Sequence, residues 1–271
     1  MPLTLSNSGG VGGLTLSKTS NVAGSLTLTQ YVPPYVADGL LLHLDAGNDS
    51  SYNGSGTTWY DLSGNSRNAT LINTPTFDNT TNGGLFSFDD ALYEYATIPD
   101  IGSQTVFSVE AWCRIHKTLT GKVTSVITNQ YNLSDRLNFS IGTNRAATSY
   151  NMSFGYFRSG WNNVDGFAAS LNIWYHLLGT YNGTSLKFYK NGVIDTQVSA
   201  SAIPASGGEI RIARRWDDVA NNSVNFFDGD ISIIRVYNKA LTSAEVTQNY
   251  NAEKSRYGLW PIQCIPTVFI Y

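Results

Sequence analysis

The chain has 271 residues, a formal net charge of −3 and only 14% charged residues, against 42% hydrophobic and 13% aromatic ones. That length supports a large buried core without disulfide staples. A balance this neutral, with no run of Lys or Arg, excludes the basic stripe of a nucleic-acid binder. No apolar stretch approaches the about 20 residues of a membrane-spanning helix, so no membrane insertion is expected. Met1-Pro2-Leu3 carries neither the basic nor the apolar region of a secretory signal. The cysteines, Cys113 and Cys264, are too few for a cysteine metal site, and Cys113 reads as a buried thiol within a strand. The 25 glycines, together with many Asn, Ser and Thr, belong to short strands joined by turns, hence an all-β fold.

In chain order, residues 1–35 form a first segment with a small repeat. Leu3-Thr4-Leu5-Ser6 recurs as Leu14-Thr15-Leu16-Ser17 and as Leu26-Thr27-Leu28-Thr29. Each unit alternates apolar and polar residues, the period of a strand with one apolar face. Strands this short need a surface to cover them. Leu3, Leu5, Leu14, Leu16, Leu26 and Leu28 are therefore expected to bind a partner or sister copies in a homo-oligomer. Pro33-Pro34 stiffens the exit.

Residues 36–259 read as consecutive short strands. Leu40 to Leu44 is a continuous apolar run; Leu85 to Asp89 and Tyr93 to Ile98 follow. From Phe107 to Ile115 the residues alternate, with Phe107, Val109, Ala111, Cys113 and Ile115 on one face. Tyr150 to Phe157 and Trp174 to Tyr181 continue the pattern. Leu186 to Lys190, Asn191-Gly192 and Val193-Ile194 make the strongest hairpin signal, because Asn-Gly accepts the positive φ angles of a type I′ turn. Ile210 to Ala213 comes next. Ile231 to Tyr237 is apolar on both faces, which predicts a central strand. Thr242-Ser243-Ala244-Glu245 is a capping-box pattern opening one helix over 244–255, with Gly258 placed as its cap. The tail, 260–271, is apolar and broken by two prolines. Trp260 and Phe269 are expected to pack on a partner.

Gly39 to Asn48, followed by Trp59-Tyr60-Asp61-Leu62-Ser63-Gly64-Asn65, resembles the opening of laminin-G-like, concanavalin A-like jelly-roll domains. Further matches keep the family's order: Phe88-Asp89, Tyr95 to Pro99, Phe107 to Trp112, Trp174-Tyr175-His176, and Phe227-Asp228-Gly229-Asp230-Ile231 leading into Arg235 to Leu241. Asn249 to Ala252 and Arg256 to Leu259 resemble the ending found in structural proteins of tailed phages of marine bacteria and cyanobacteria. The resemblance implies a jelly-roll sandwich over 36–259, with one short C-terminal helix. It further implies a virion structural protein, either a capsid decoration protein or a tail-fibre component, assembled in the host cytoplasm and held by a capsid or tail protein. A glycan-binding adhesion module of a secreted or surface protein is the alternative. Family members often hold a structural Ca²⁺ in edge loops, and Asp61, Asp89 and Asp228 match such positions, with the hard oxygen donors that Ca²⁺ accepts.

No catalytic residue is expected. Glycosidases on this fold set two carboxylates on one strand face, yet Glu94, Glu110 and Glu209 each lack a partner acid at that spacing. His43 and His176 fall inside apolar strands, as packed histidines do, and no nucleophile elbow is present. Sugar binding on this fold would use exposed loop aromatics, for which Trp161 and Trp216 are the candidates.

Overall fold

The computed structural model describes residues 34–117, 124–130, 137–143, 151–157, 161–200, 208–215 and 226–259. The chain divides into Met1–Val32 and Pro33–Tyr271. The six arm leucines, together with Trp216, Trp260 and Phe269, lie outside the described residues.

Strands β1 (Leu40–Asp45), β2 (Thr58–Trp59), β3 (Ala69–Ile72), β4 (Thr76–Asp78), β5 (Leu85–Phe88) and β6 (Tyr95–Ile98) open the domain. Next come β7 (Phe107–Ile115), β8 (Ser125–Gln130), β9 (Leu137–Thr143), β10 (Asn151–Phe157) and β11 (Trp161–Ala168). Then β12 (Trp174–Tyr181), β13 (Ser185–Lys190), β14 (Val193–Ser199), β15 (Glu209–Ile212) and β16 (Gly229–Tyr237) precede helix α1 (Ser243–Glu253). They form two eight-stranded sheets. One runs β14-β13-β12-β7-β16-β5-β4, with β1 also on β16; the other runs β11-β10-β9-β8-β15-β6-β3-β2. All pairings between the named strands are antiparallel. The result is a jelly-roll sandwich.

The alternation along β7 sets the core. Phe107, Val109, Ala111, Cys113 and Ile115 pack between the sheets with Phe86, Phe139, Phe154 and Ile234. The opposite face of β7 is buried too. Trp112 stacks on Tyr257 at 4.1 Å and on Tyr250 at 5.8 Å, contributed by α1 and the short 3-10 turn Lys254–Tyr257 after it. β16 therefore lies centrally, paired with β7, β5 and β1 and buried along its whole length, as its two apolar faces require.

A polar layer sits under α1. Glu110 on β7 receives Arg235 Nη1 at 2.9 Å and Asn249 Nδ2 at 2.6 Å, with His176 Nε2 3.1 Å away. Burial opposes the Glu110 charge, but Arg235 and His176 more than offset it and hold the carboxyl down at about 2. Asn249 Oδ1 accepts the Val36 N–H, and the Arg235 guanidinium lies 4.2 Å over the Tyr35 ring, which fixes the entry of the chain into the domain. The helix itself starts as its sequence requires: Thr242 Oγ1 accepts from Glu245 N, and Glu245 Oε2 accepts from Thr242 N. The β13–β14 hairpin turns through Asn191 at φ 51° and Gly192 at φ 79°. A Cβ on Gly192 would stand 2.8 Å from Tyr250, so glycine also lets α1 approach.

Candidate functional site

Sheet register brings two loops together at one end of the first sheet. Phe88 at the end of β5 pairs with Gly229 at the start of β16, and Gly229 pairs with Ile115 at the end of β7. The segments 89–95 and 226–228 therefore leave the sheet side by side. They build a rim with an acidic half and an aromatic half.

In the acidic half, carboxylate oxygens of Asp89, Asp90 and Asp228 all lie within 4.8 Å of one another. Asp90 is buried and holds Lys117 Nζ at 2.8 Å. Asp89 caps a short 3-10 turn, Asp90–Leu92, by accepting from Ala91 N at 2.8 Å. Burial, followed by the hydrogen bond and charge of Asp90, pushes the Asp228 carboxyl up to about 6. Such a group accepts a proton or a cation, and its hard oxygens suit calcium rather than a soft metal. Next to it, His116 Nε2 and the Arg114 guanidinium both meet Asp230, which locks the β7 and β16 ends.

The aromatic half begins at Tyr93, which ends the 3-10 turn in the left-handed region at φ 59°. That conformation costs a bulky L-residue on the order of 1–3 kcal/mol. Asn73 Nδ2 holds it by donating to Tyr93 O at 2.9 Å. Tyr93 is 38% exposed and its neighbour Leu92 58%. The Tyr93 ring meets Phe226 edge-on at 5.3 Å, and Tyr95 meets Phe226 at 6.0 Å. The Arg214 guanidinium lies 4.8 Å from the Tyr95 ring centre and 4.9 Å from that of Phe226. A bridge between Arg214 and Phe226, just beyond Ala213 at φ 62°, fixes this approach.

Two of the three residues matched to calcium positions, Asp89 and Asp228, therefore meet, and Asp90 joins them. Asp61 does not. Its Oδ1 accepts from His43 N and Ser63 N, both at 2.9 Å, and its Oδ2 from Arg67 N at 3.0 Å and Ser63 Oγ at 2.8 Å. It braces the loop after β2 against β1 through backbone donors and the Ser63 hydroxyl, and stands outside the Asp89, Asp90 and Asp228 group. Trp161 opens β11 at the edge of the second sheet, paired in register with Phe157, and its side chain lies outside the described residues, as does Trp216. Sequence reasoning missed Asp90, Tyr93, Arg214 and Phe226. The doublets Asp89-Asp90 and Phe226-Phe227 were available signals; the exposure of Tyr93 was not.

The glutamates weighed for catalysis hold structural positions. Glycosidases set two carboxyl groups about 5–9.5 Å apart across a cleft open to substrate. Glu110 is fully buried under α1, Glu94 accepts from Asp89 N at 2.9 Å in a buried position, and Glu209 pairs with Arg211 at 2.8 Å. Cys113 is buried, and burial pushes its thiol well above the usual range.

No curated protein matches the chain in sequence. Among solved structures, domain 4 of AbnA, an extracellular arabinanase from Geobacillus stearothermophilus in complex with arabinotriose, superposes with a TM-score of 0.59 at 20% identity. That match covers 78% of this chain and 98% of the other. The binding domain of botulinum neurotoxin DC, in complex with SialylT, gives 0.59 at 15% identity over 80% of this chain, which spans 52% of the toxin chain. A Trypanosoma rangeli sialidase in complex with 2,3-difluorosialic acid gives 0.59 at 13% identity over 83% of this chain and 34% of the enzyme. At such identities the likeness is one of fold. The family model for the concanavalin A-like lectin/glucanases superfamily matches residues 89–247. With that match over more than half its length and its two antiparallel sheets, the chain belongs to the concanavalin A-like lectin/glucanases superfamily.

Proposed function

We propose that the domain is a non-catalytic carbohydrate-binding module whose site is the rim of segments 89–95, 211–214 and 226–228. The observation that carries this reading is Tyr93, a partly exposed aromatic ring held in a left-handed backbone beside Phe226 and Arg214. Strain of this kind persists where surrounding structure imposes it, and it clusters at ligand sites. A sugar ring presents a C–H face to an aromatic ring and hydroxyls at its edge, so Tyr93 and Leu92 serve the face, and Arg214 and the Asp89 carboxylate serve the edge. The arabinanase domain in complex with arabinotriose and the toxin binding domain in complex with SialylT support the class of ligand.

Asp89, Asp90 and Asp228 would hold a calcium ion, which would fix the 89–95 and 226–228 loops against each other. The finer reading is that the module is displayed on a virion, held through residues 1–35 by a capsid or tail protein. It rests on the sequence motifs of 249–259 and on the Leu-Thr-Leu repeat. Co-sedimentation of the full chain with particles at fixed stoichiometry supports it; a protein found only free opposes it.

The binding reading is tested by probing a glycan array with the full chain and its Tyr93→Ala variant, followed by calorimetry on the best ligand. Truncating an aromatic anchor typically costs about 2 kcal/mol or more, roughly thirtyfold in Kd. Undiminished binding by the variant overturns the assignment of the rim.

A further inference from the structure

The arginines of this domain differ in what they hold. Arg114 pairs with Asp230, Arg211 with Glu209, Arg235 with Glu110 and Glu253, and Arg256 with Asp45. Arg67 donates to the Leu41 carbonyl at 2.8 Å. Arg214 has no ion pair and no hydrogen bond among the described residues; its contacts are the faces of Tyr95 and Phe226. Lodged over two rings that stand 69° apart, the guanidinium is held in place while its N–H fork stays unspent, and such a fork receives a planar carboxylate on two parallel hydrogen bonds.

A second cation stands beside it. Arg211, 5.9 Å from the same Tyr95 ring, has its charge disfavoured first by burial and also by Arg214. Glu209 engages Arg211 through Nε and leaves Arg214 unmatched. This end of the rim thus carries positive charge that the described protein does not neutralise, next to the exposed Tyr93 ring. Resting on the reading of the rim as a carbohydrate site, we infer that its ligands are acidic sugars, uronic or sialic acids, whose carboxylate is held by Arg214 while the sugar ring lies against Tyr93.

The test compares ligands that differ in that group alone, on the full chain. Trigalacturonate is set against its methyl ester, and 3′-sialyllactose against its own methyl ester, by calorimetry. At least one acid should bind, its neutral counterpart should bind roughly tenfold more weakly or worse, and raised salt should weaken only the acid. Arg214→Gln should remove the acid's advantage and leave the melting temperature unchanged. Arg214→Lys, which keeps the charge and loses the fork, should recover only part of it. Equal binding of acid and neutral counterpart, lost in Tyr93→Ala, overturns the inference and leaves the carbohydrate reading standing. Acid binding untouched by Arg214→Gln also overturns it. No binding to these four or to any array glycan overturns both.

Discussion

Replacing Glu110 by Gln removes the anion at the centre of the polar layer beneath α1. In the wild-type domain its carboxylate is fully buried and meets Arg235, Asn249 and His176 at 2.9, 2.6 and 3.1 Å. Arg235, equally buried, would keep Glu253 as its single anionic partner, and that residue also serves Arg256. Removing one member of a buried pair costs about 3–5 kcal/mol, because the other charge stays desolvated. For a domain this size each kcal/mol corresponds to about 2–4 °C, so the melting temperature should fall by about 6–20 °C. Urea denaturation of the two proteins gives the free energy directly, with the slope reporting any change in compactness. The Glu110→Leu/Arg235→Met double variant, which leaves no orphaned charge there, should lose less than the sum of its single variants. A loss under about 1 kcal/mol for Glu110→Gln, or strict additivity in the double variant, would refute the claim that these groups form a coupled buried network.

Acidification should also act through His43. Burial, then the charge of Arg235, lower its pKa to about 3, and neither ring nitrogen has a hydrogen-bond partner among the described residues. The unfolded chain therefore binds the extra proton first, so stability should drop by up to about 1.4 kcal/mol per pH unit as pH falls from 6.5 towards 3; pH-dependent melting curves that stay equally steep in His43→Leu would contradict this. Glu110, held at about 2 against an ordinary 4.5, should add a second loss below pH 4.5, absent from the pH-dependent melts of Glu110→Gln. Trp112→Ala, which empties the stack on Tyr250 and Tyr257, should cost about 3–5 kcal/mol by urea denaturation. EDTA should lower the melting temperature and added Ca²⁺ restore it, since an ion bound to the folded state alone stabilises by mass action; Asp228→Asn should abolish that response, and identical melts with and without Ca²⁺ would count against an ion at Asp89, Asp90 and Asp228.

The strands carrying strong alternation or continuous apolar runs were legible in the sequence, namely β1, β7, β12, β13 and β16, as were the Asn191-Gly192 turn and the capped helix. The helix reading ran two residues too far, because the last turn tightens to a 3-10 turn from Lys254. β8, β9 and β11 were not legible. Their sequences, SVITNQ, LNFSIGT and WNNVDGFA, interleave few apolar residues with polar ones, and it is their pairing that commits Val126, Ile127, Ile141 and Val164 to the core. β14 was read only to Ile194; pairing with β13 extends it to Ser199 although most of its side chains are exposed. At the rim, Asp89 and Asp228 could be named by motif, but Asp61 shares their chemistry and is spent on bracing a loop. What separates them is register between β5, β16 and β7, which no local pattern encodes. Tyr93 and Arg214 were invisible for the same reason: their roles follow from a left-handed turn and from a bridge to Phe226, twelve positions further along the chain from Arg214.

A crystal structure of the full chain with its best array oligosaccharide tests the central claim most directly. The account predicts a sugar ring within about 4 Å of the Tyr93 ring, with polar contacts to Arg214 or to the 89–95 and 226–228 loops. A sugar seated elsewhere on the sandwich, with Tyr93, Arg214 and Asp89 untouched, would contradict it.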